Sequence, residues 1–160
     1  MYRYYNDTYL STIYIGIGAW DELKPVCKKK GPEISDQLWN EMGEELLDGA
    51  TGTTFDLVTE GEKNIYFIYM PAFDSSVESL VTLSHECGHA AHFALVKRGW
   101  AHLDNIDSFH SLLYFKDAIY SNLLEQIISY NPSEKKKKPS NKTSKVKKVE
   151  ATDFSEIKPE

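Results

Sequence analysis

The sequence predicts an α+β domain: a short antiparallel sheet packed on two long helices, followed by a disordered tail. Three observations point there. β-branched and aromatic stretches bounded by glycine lie in the first half of the chain. Two long stretches with helical spacing of apolar residues lie in the second half. From Asn131 onward, large apolar side chains give way to Lys, Pro and Ser. At 160 residues and 41% hydrophobic composition, the chain can bury one core of ordinary size.

Each element follows from local chemistry. Residues 9–18, YLSTIYIGIG, read as a strand ending in glycine. Residues 19–31, AWDELKPVCKKKG, read as a short helix closed by Gly31, with Pro25 tolerable only near its start. Residues 32–49 carry Ile34, Leu38, Met42 and Leu46 at helical spacing between Pro32 and Gly49. Residues 53–71, TTFDLVTEGEKNIYFIYMP, are two strands around a glycine-containing turn, a hairpin. Residues 74–99 form a long helix with Asp74 or Ser75 as cap, Glu78 as capping-box partner and Gly99 as stop. Residues 107–130 form a second long helix capped by Asp107.

Charge divides the chain at the same place. Residues 131–160 hold nine Lys against five acids, a net of +4; the formal total is −6, so residues 1–130 carry −10. That tail has too little apolar surface to offset the cost of ordering. Its lysines are read as a solvated run, with contact to nucleic acid or an acidic partner as the sharper alternative. No apolar run approaches the roughly 20 residues that cross a bilayer, so no membrane partner is expected. The opening MYRYYNDTYL lacks the layout of a signal peptide. Cys27 and Cys87 make neither a disulfide framework nor a Cys-x-x-Cys metal pair. The expectation is a reduced, cytoplasmic protein in which Cys87 packs as a small hydrophobe.

The chemistry concentrates in LVTLSHECGHAAHFAL, residues 80–95, which holds three of the five histidines. His85-Glu86-x-x-His89 on a helix sets two imidazoles one turn apart, about 6 Å along the axis and nearly aligned around it. Both can reach one Zn²⁺ at about 2.0–2.1 Å. Glu86 then borders the metal without binding it and can take a proton from zinc-bound water, whose pKa falls to about 7. This is the equipment of amide hydrolysis, with protein or peptide as substrate. Histidines hydrogen-bonded in a core are the bland alternative. Burying two of them and a glutamate without a metal would leave several polar groups to satisfy.

Residues 85–89, His-Glu-Cys-Gly-His, match the motif of the zincin metallopeptidases. The span of residues 10–130 also resembles the small single-domain zincins of phage genomes, the minigluzincins. The resemblance implies a zincin-like domain over residues 1–130, in a host cytoplasm if phage-encoded. It implies that residues 64–70, NIYFIYM, are the sheet-edge strand along which an extended peptide binds. In that family the third zinc ligand is usually a Glu at the start of the second helix, with a Tyr four residues later. Here HSLLY places His110 and Tyr114 at those positions. Spartan-type zincins use a third His, so the exchange is chemically allowed.

Five other residues compete for the third ligand. His92 shares a face with the pair but lies about 7.5 Å along the axis from its midpoint. His102, Asp104 and Asp107 sit in the loop or cap, and Glu125 lies four turns down the second helix. The expected site is therefore His85, His89 and His110 as ligands, Glu86 as base, and Tyr114 orienting a ligand or stabilising the oxyanion. A second reading is a non-catalytic, zinc-stabilised module whose tail grips DNA or an acidic protein.

Overall fold

The described residues form four helices and a four-stranded mixed sheet, in the order β1 (Tyr2–Asn6), β2 (Ser11–Ile17), α1 (Trp20–Lys30), α2 (Asp36–Glu45), β3 (Thr53–Leu57), β4 (Asn64–Met70), α3 (Val77–Lys97) and α4 (Ile106–Ser129). This structure, a computed structural model, describes residues 1–46, 49–57, 64–100 and 106–130, without the side chains of 106–108. His102, Asp104 and the tail from residue 131 lie outside the described residues, and so does the side chain of Asp107. No helix among the described residues is long and apolar enough to cross a membrane.

Strand order is β1-β2-β4-β3. β1 pairs antiparallel with β2, β2 runs parallel to β4, and β3 pairs antiparallel with β4. The two strands expected within residues 53–71 form and pair antiparallel, their turn at residues 58–63 lying outside the described residues, but the sheet is mixed rather than antiparallel. The cause is the connection through α1 and α2, which returns the chain to the same end of the sheet and makes β2 and β4 parallel neighbours. β4 is therefore an interior strand, correcting the expectation that residues 64–70 form the edge. Its last five residues are all buried, the pattern of a strand covered on both faces. The edge beside it is β3.

Side-chain parity builds two cores. Ile13, Ile15, Tyr66, Ile68 and Met70 point to α3 and α4, where Leu83, Cys87, Ala90, Phe115, Ile119 and Leu123 meet them. Tyr14, Phe55, Leu57, Phe67 and Tyr69 point to the opposite face, against Leu23, Cys27, Trp39 and Met42 of α1 and α2. Each fully buried large side chain contributes about 1.5–3 kcal/mol through burial. Phe55 and Leu57 face α1 and α2, so Thr54 and Asp56 face α3. That alternation brings an edge-strand threonine to the motif helix.

Helix ends differ from the sequence reading in detail. α2 starts at Asp36 because the Ser35 side chain accepts from Leu38 N–H; the expected start at Pro32 is four residues early. α3 is capped by Ser76, whose hydroxyl accepts from Ser79 N–H at 3.2 Å. Asp74 instead accepts from Ser76 N–H and Ser79 Oγ, and Ser75 takes a positive φ of 63°. Ser79, not Glu78, thus occupies the third position of the helix. Gly99 ends α3 as expected, with φ +83° and its N–H donating to Val96 O. α4 begins at Ile106, which puts Asp107 inside the first turn rather than ahead of it.

Candidate metal centre

α3 presents opposite chemistries on its two sides. Its buried residues Leu83, Cys87, Ala90 and Ala94 face the sheet and α4. At about 100° per residue, His85, His89 and His92 fall on the far side, and all three are exposed. His85 Nε2 and His89 Nε2 stand 3.0 Å apart, with the rings nearly perpendicular at 85°. Two nitrogens at about 2.0–2.1 Å from one tetrahedral ion lie about 3.3 Å from each other. The pair therefore fits a single ion with a shift of a few tenths of an ångström. His89 also stacks on Phe93, which stacks in turn on buried Tyr66. A core residue thus lies behind the His89 ring through Phe93.

Glu86 follows His85 but lies a quarter-turn round the helix, so it points toward β3 instead of solvent. It is 5% exposed. Thr54 Oγ1 donates to Glu86 Oε2 at 2.7 Å, with the Glu86 carbonyl oxygen a second, longer acceptor at 3.1 Å. Gly52 lies against the same side chain. A Cβ added there would meet Thr82 Cγ2 at 2.8 Å and Glu86 Cγ at 2.9 Å. Thr82 and Thr51 hydroxyls join the same two segments.

His85, Glu86 and His89 form a group able to hold a metal ion, each offering a ligand atom within 4.8 Å of the others. Among the described residues no other His, Cys, Asp or Glu joins them. The structure does not bring His110 or Tyr114 to the pair. α4 buries Phe115, Ile119, Leu123 and Ile127. His110 lies about 180° round α4 from Ile119, and Tyr114 about 160° from Lys116. Both are exposed, Tyr114 at 76%. Lys116 is an α4 residue beside the motif helix at Gly88, its Cδ lying 3.8 Å from a Cβ built on that glycine. His92 is exposed and outside the group, and Glu125 is exposed on α4. Cys87 is fully buried, and burial followed by the Glu86 charge pushes its thiol up to about 12. It packs, as expected, and offers no thiolate at neutral pH.

No family model matches the chain. No curated protein and no solved structure matches it either. The zincin resemblance accordingly rests on residues 85–89.

The motif helix also borders an open cleft of about 390 Å³ lined by Val81, Ser84, His85, Gly88 and Lys116. A cavity of about 420 Å³ lies at α1 and α2, lined by Cys27, Ile34 and Trp39 among others. It is on the opposite side of the sheet, and its two lysines, Lys24 and Lys28, are both paired with Asp36. The cleft beside α3 has the smaller volume, and of the three clustered residues it is lined by His85.

Sequence reasoning missed Gly52, Thr54 and Lys116. Strand parity carried part of the signal for Thr54, since apolar Phe55 and Leu57 leave Thr54 and Asp56 on one face. Nothing local identified the helix which that face would meet.

Proposed function

We propose that the protein is a zinc-dependent peptidase of the zincin kind, hydrolysing peptide bonds with Glu86 as proton acceptor. One observation carries the reading: two exposed imidazole nitrogens 3.0 Å apart, with a buried carboxylate within 4.8 Å of both. A structural zinc site is closed by four protein ligands, whereas this pair opens to solvent, as a site that must admit water and substrate does. His85 and His89 would hold the ion, which would lend Lewis acidity to an attacking water and to the scissile carbonyl. Glu86 takes the proton from that water and delivers it to the leaving amine. β3 carries Thr54 next to Glu86 and, among the described residues, pairs with β4 alone. Its open side is the edge to which an extended peptide adds through main-chain hydrogen bonds.

The test is zinc content together with chelator-sensitive cleavage of an unfolded protein such as casein. Glu86→Gln keeps both histidines, so it should retain zinc and lose activity by several orders of magnitude. Comparable turnover by that variant sinks the mechanism. Zinc uptake without turnover on any unfolded substrate moves the assignment to the zinc-stabilised module.

A further inference from the structure

We infer that Thr54 is a positioning residue that holds Glu86 as a base and keeps its carboxylate from becoming a metal ligand. The inference rests on the peptidase reading. Glu86 faces two competing roles, because its carboxylate belongs to the same group as His85 and His89. A carboxylate that binds the ion takes up a position needed by water or substrate, and its lone pairs no longer accept the proton. Something must therefore fix the side chain between these roles, and its own helix does not: a glutamate has three rotatable bonds.

β3 and the residue before it supply the restraint. Thr54 has one hydroxyl proton and two acceptors on Glu86. The 2.7 Å contact to Oε2 is the shorter and carries the carboxylate charge, so it takes the proton. One carboxylate oxygen is thereby committed to the strand. Gly52, two residues before Thr54, lies against the stem, leaving no room for even a methyl group beside Glu86 Cγ. The side chain is 5% exposed, so this hydrogen bond works with little competition from water. The restraint comes from the sheet edge, not from α3, and both of its hydrogen-bond acceptors belong to Glu86.

The experiment uses the full chain loaded with Co²⁺, whose visible spectrum reports coordination number, and the zinc form for kinetics. Thr54→Val keeps the shape and removes the donor. It should lower kcat by about 10- to 100-fold, the range for loss of outer-shell partners, with KM within about twofold. Its Co²⁺ spectrum should shift toward higher coordination as the carboxylate binds. Thr54→Ser keeps the hydroxyl and should restore both kcat and spectrum. If Thr54→Val does not fold, Thr54→Ala takes its place in the same comparison. An active wild type whose Val or Ala variant matches it in kcat and spectrum overturns this inference alone. A wild type that takes up no Co²⁺ overturns the peptidase reading and this inference with it.

Discussion

Gly52 lies against Glu86 and Gly88 lies on the motif helix beside Lys116, and alanine at each should move stability in opposite directions. At Gly52 the new Cβ would stand 2.8 Å from Thr82 Cγ2, 2.9 Å from Glu86 Cγ and 3.3 Å from Glu86 Cδ. Neither neighbour is free to give way. Thr82 holds Thr51 through its hydroxyl, and Glu86 is pinned by Thr54. Overpacking of this kind costs about 1–3 kcal/mol. The loss of glycine's chain entropy returns about 0.4–1 kcal/mol, so Gly52→Ala should destabilise by about 1–2 kcal/mol. At Gly88 the Cβ meets only Lys116 Cδ, at an ordinary 3.8 Å, inside a regular helix. Alanine there should stabilise by about 0.5–1 kcal/mol. For a domain of this size, 1 kcal/mol moves the melting temperature by about 3–5 °C. Thermal melts should therefore fall by roughly 3–10 °C for Gly52→Ala and rise by roughly 2–5 °C for Gly88→Ala. Casein cleavage at a temperature where both variants are folded should drop only for Gly52→Ala. Melting shifts of the same sign, or a Gly52→Ala protein as active as wild type, would refute the packing described around Glu86.

Three further outcomes are expected. His110→Ala and Tyr114→Phe should leave zinc affinity within about threefold, because both side chains sit on the exposed face of α4; a loss beyond the tenfold to hundredfold of an outer-shell partner in either would place that residue at the metal. Hydrogen bonds from Ser76 and Ser79 hold the Asp74 carboxyl at about 2, below the ordinary aspartate range. A depressed acid contributes stability that is complete above about pH 4 and is lost as pH falls toward 2. The melting difference between wild type and Asp74→Ala should narrow as pH falls from about 4 through 2, and a difference that stays constant over that range contradicts the assignment. Deleting residues 131–160 should leave small-peptide cleavage within about twofold, since a segment so polar builds no core. If the tail grips nucleic acid, only the full chain should bind DNA in a salt-dependent way.

How much of this was legible depends on how far apart the interacting residues lie in the chain. Helical periodicity alone places His85, Glu86 and His89 and predicts that the histidines share a face; the 3.0 Å separation agrees. β1 was not anticipated. YRYYN alternates half-buried and exposed, but four of its five residues are aromatic or basic, so the apolar–polar contrast that marks a strand is weak. The interior place of β4 was readable in its unbroken apolar run, which signals two covered faces. The family resemblance pointed instead to the edge. At the start of α3, three polar residues in a row offer three caps, and only the positive φ of Ser75 settles the choice on Ser76.

The second helix gives the sharper lesson, because its sequence held the answer. Phe115 and Ile119 are four residues apart and fix the buried stripe of α4. His110 is nine residues before Ile119, a half-turn out of phase at about 100° per residue. A histidine in that phase points away from whatever Phe115 and Ile119 cover, and they cover the core beside α3. Spacing to Tyr114 matched a family pattern, while spacing to the core stripe excluded the same role. Of the two, the core stripe has the stronger physical hold. Rotating α4 to turn His110 inward would expose Phe115, Ile119 and Leu123 together, at about 1.5–3 kcal/mol each. One added zinc ligand does not offset that, so any third protein ligand has to come from a segment free to approach without turning α4.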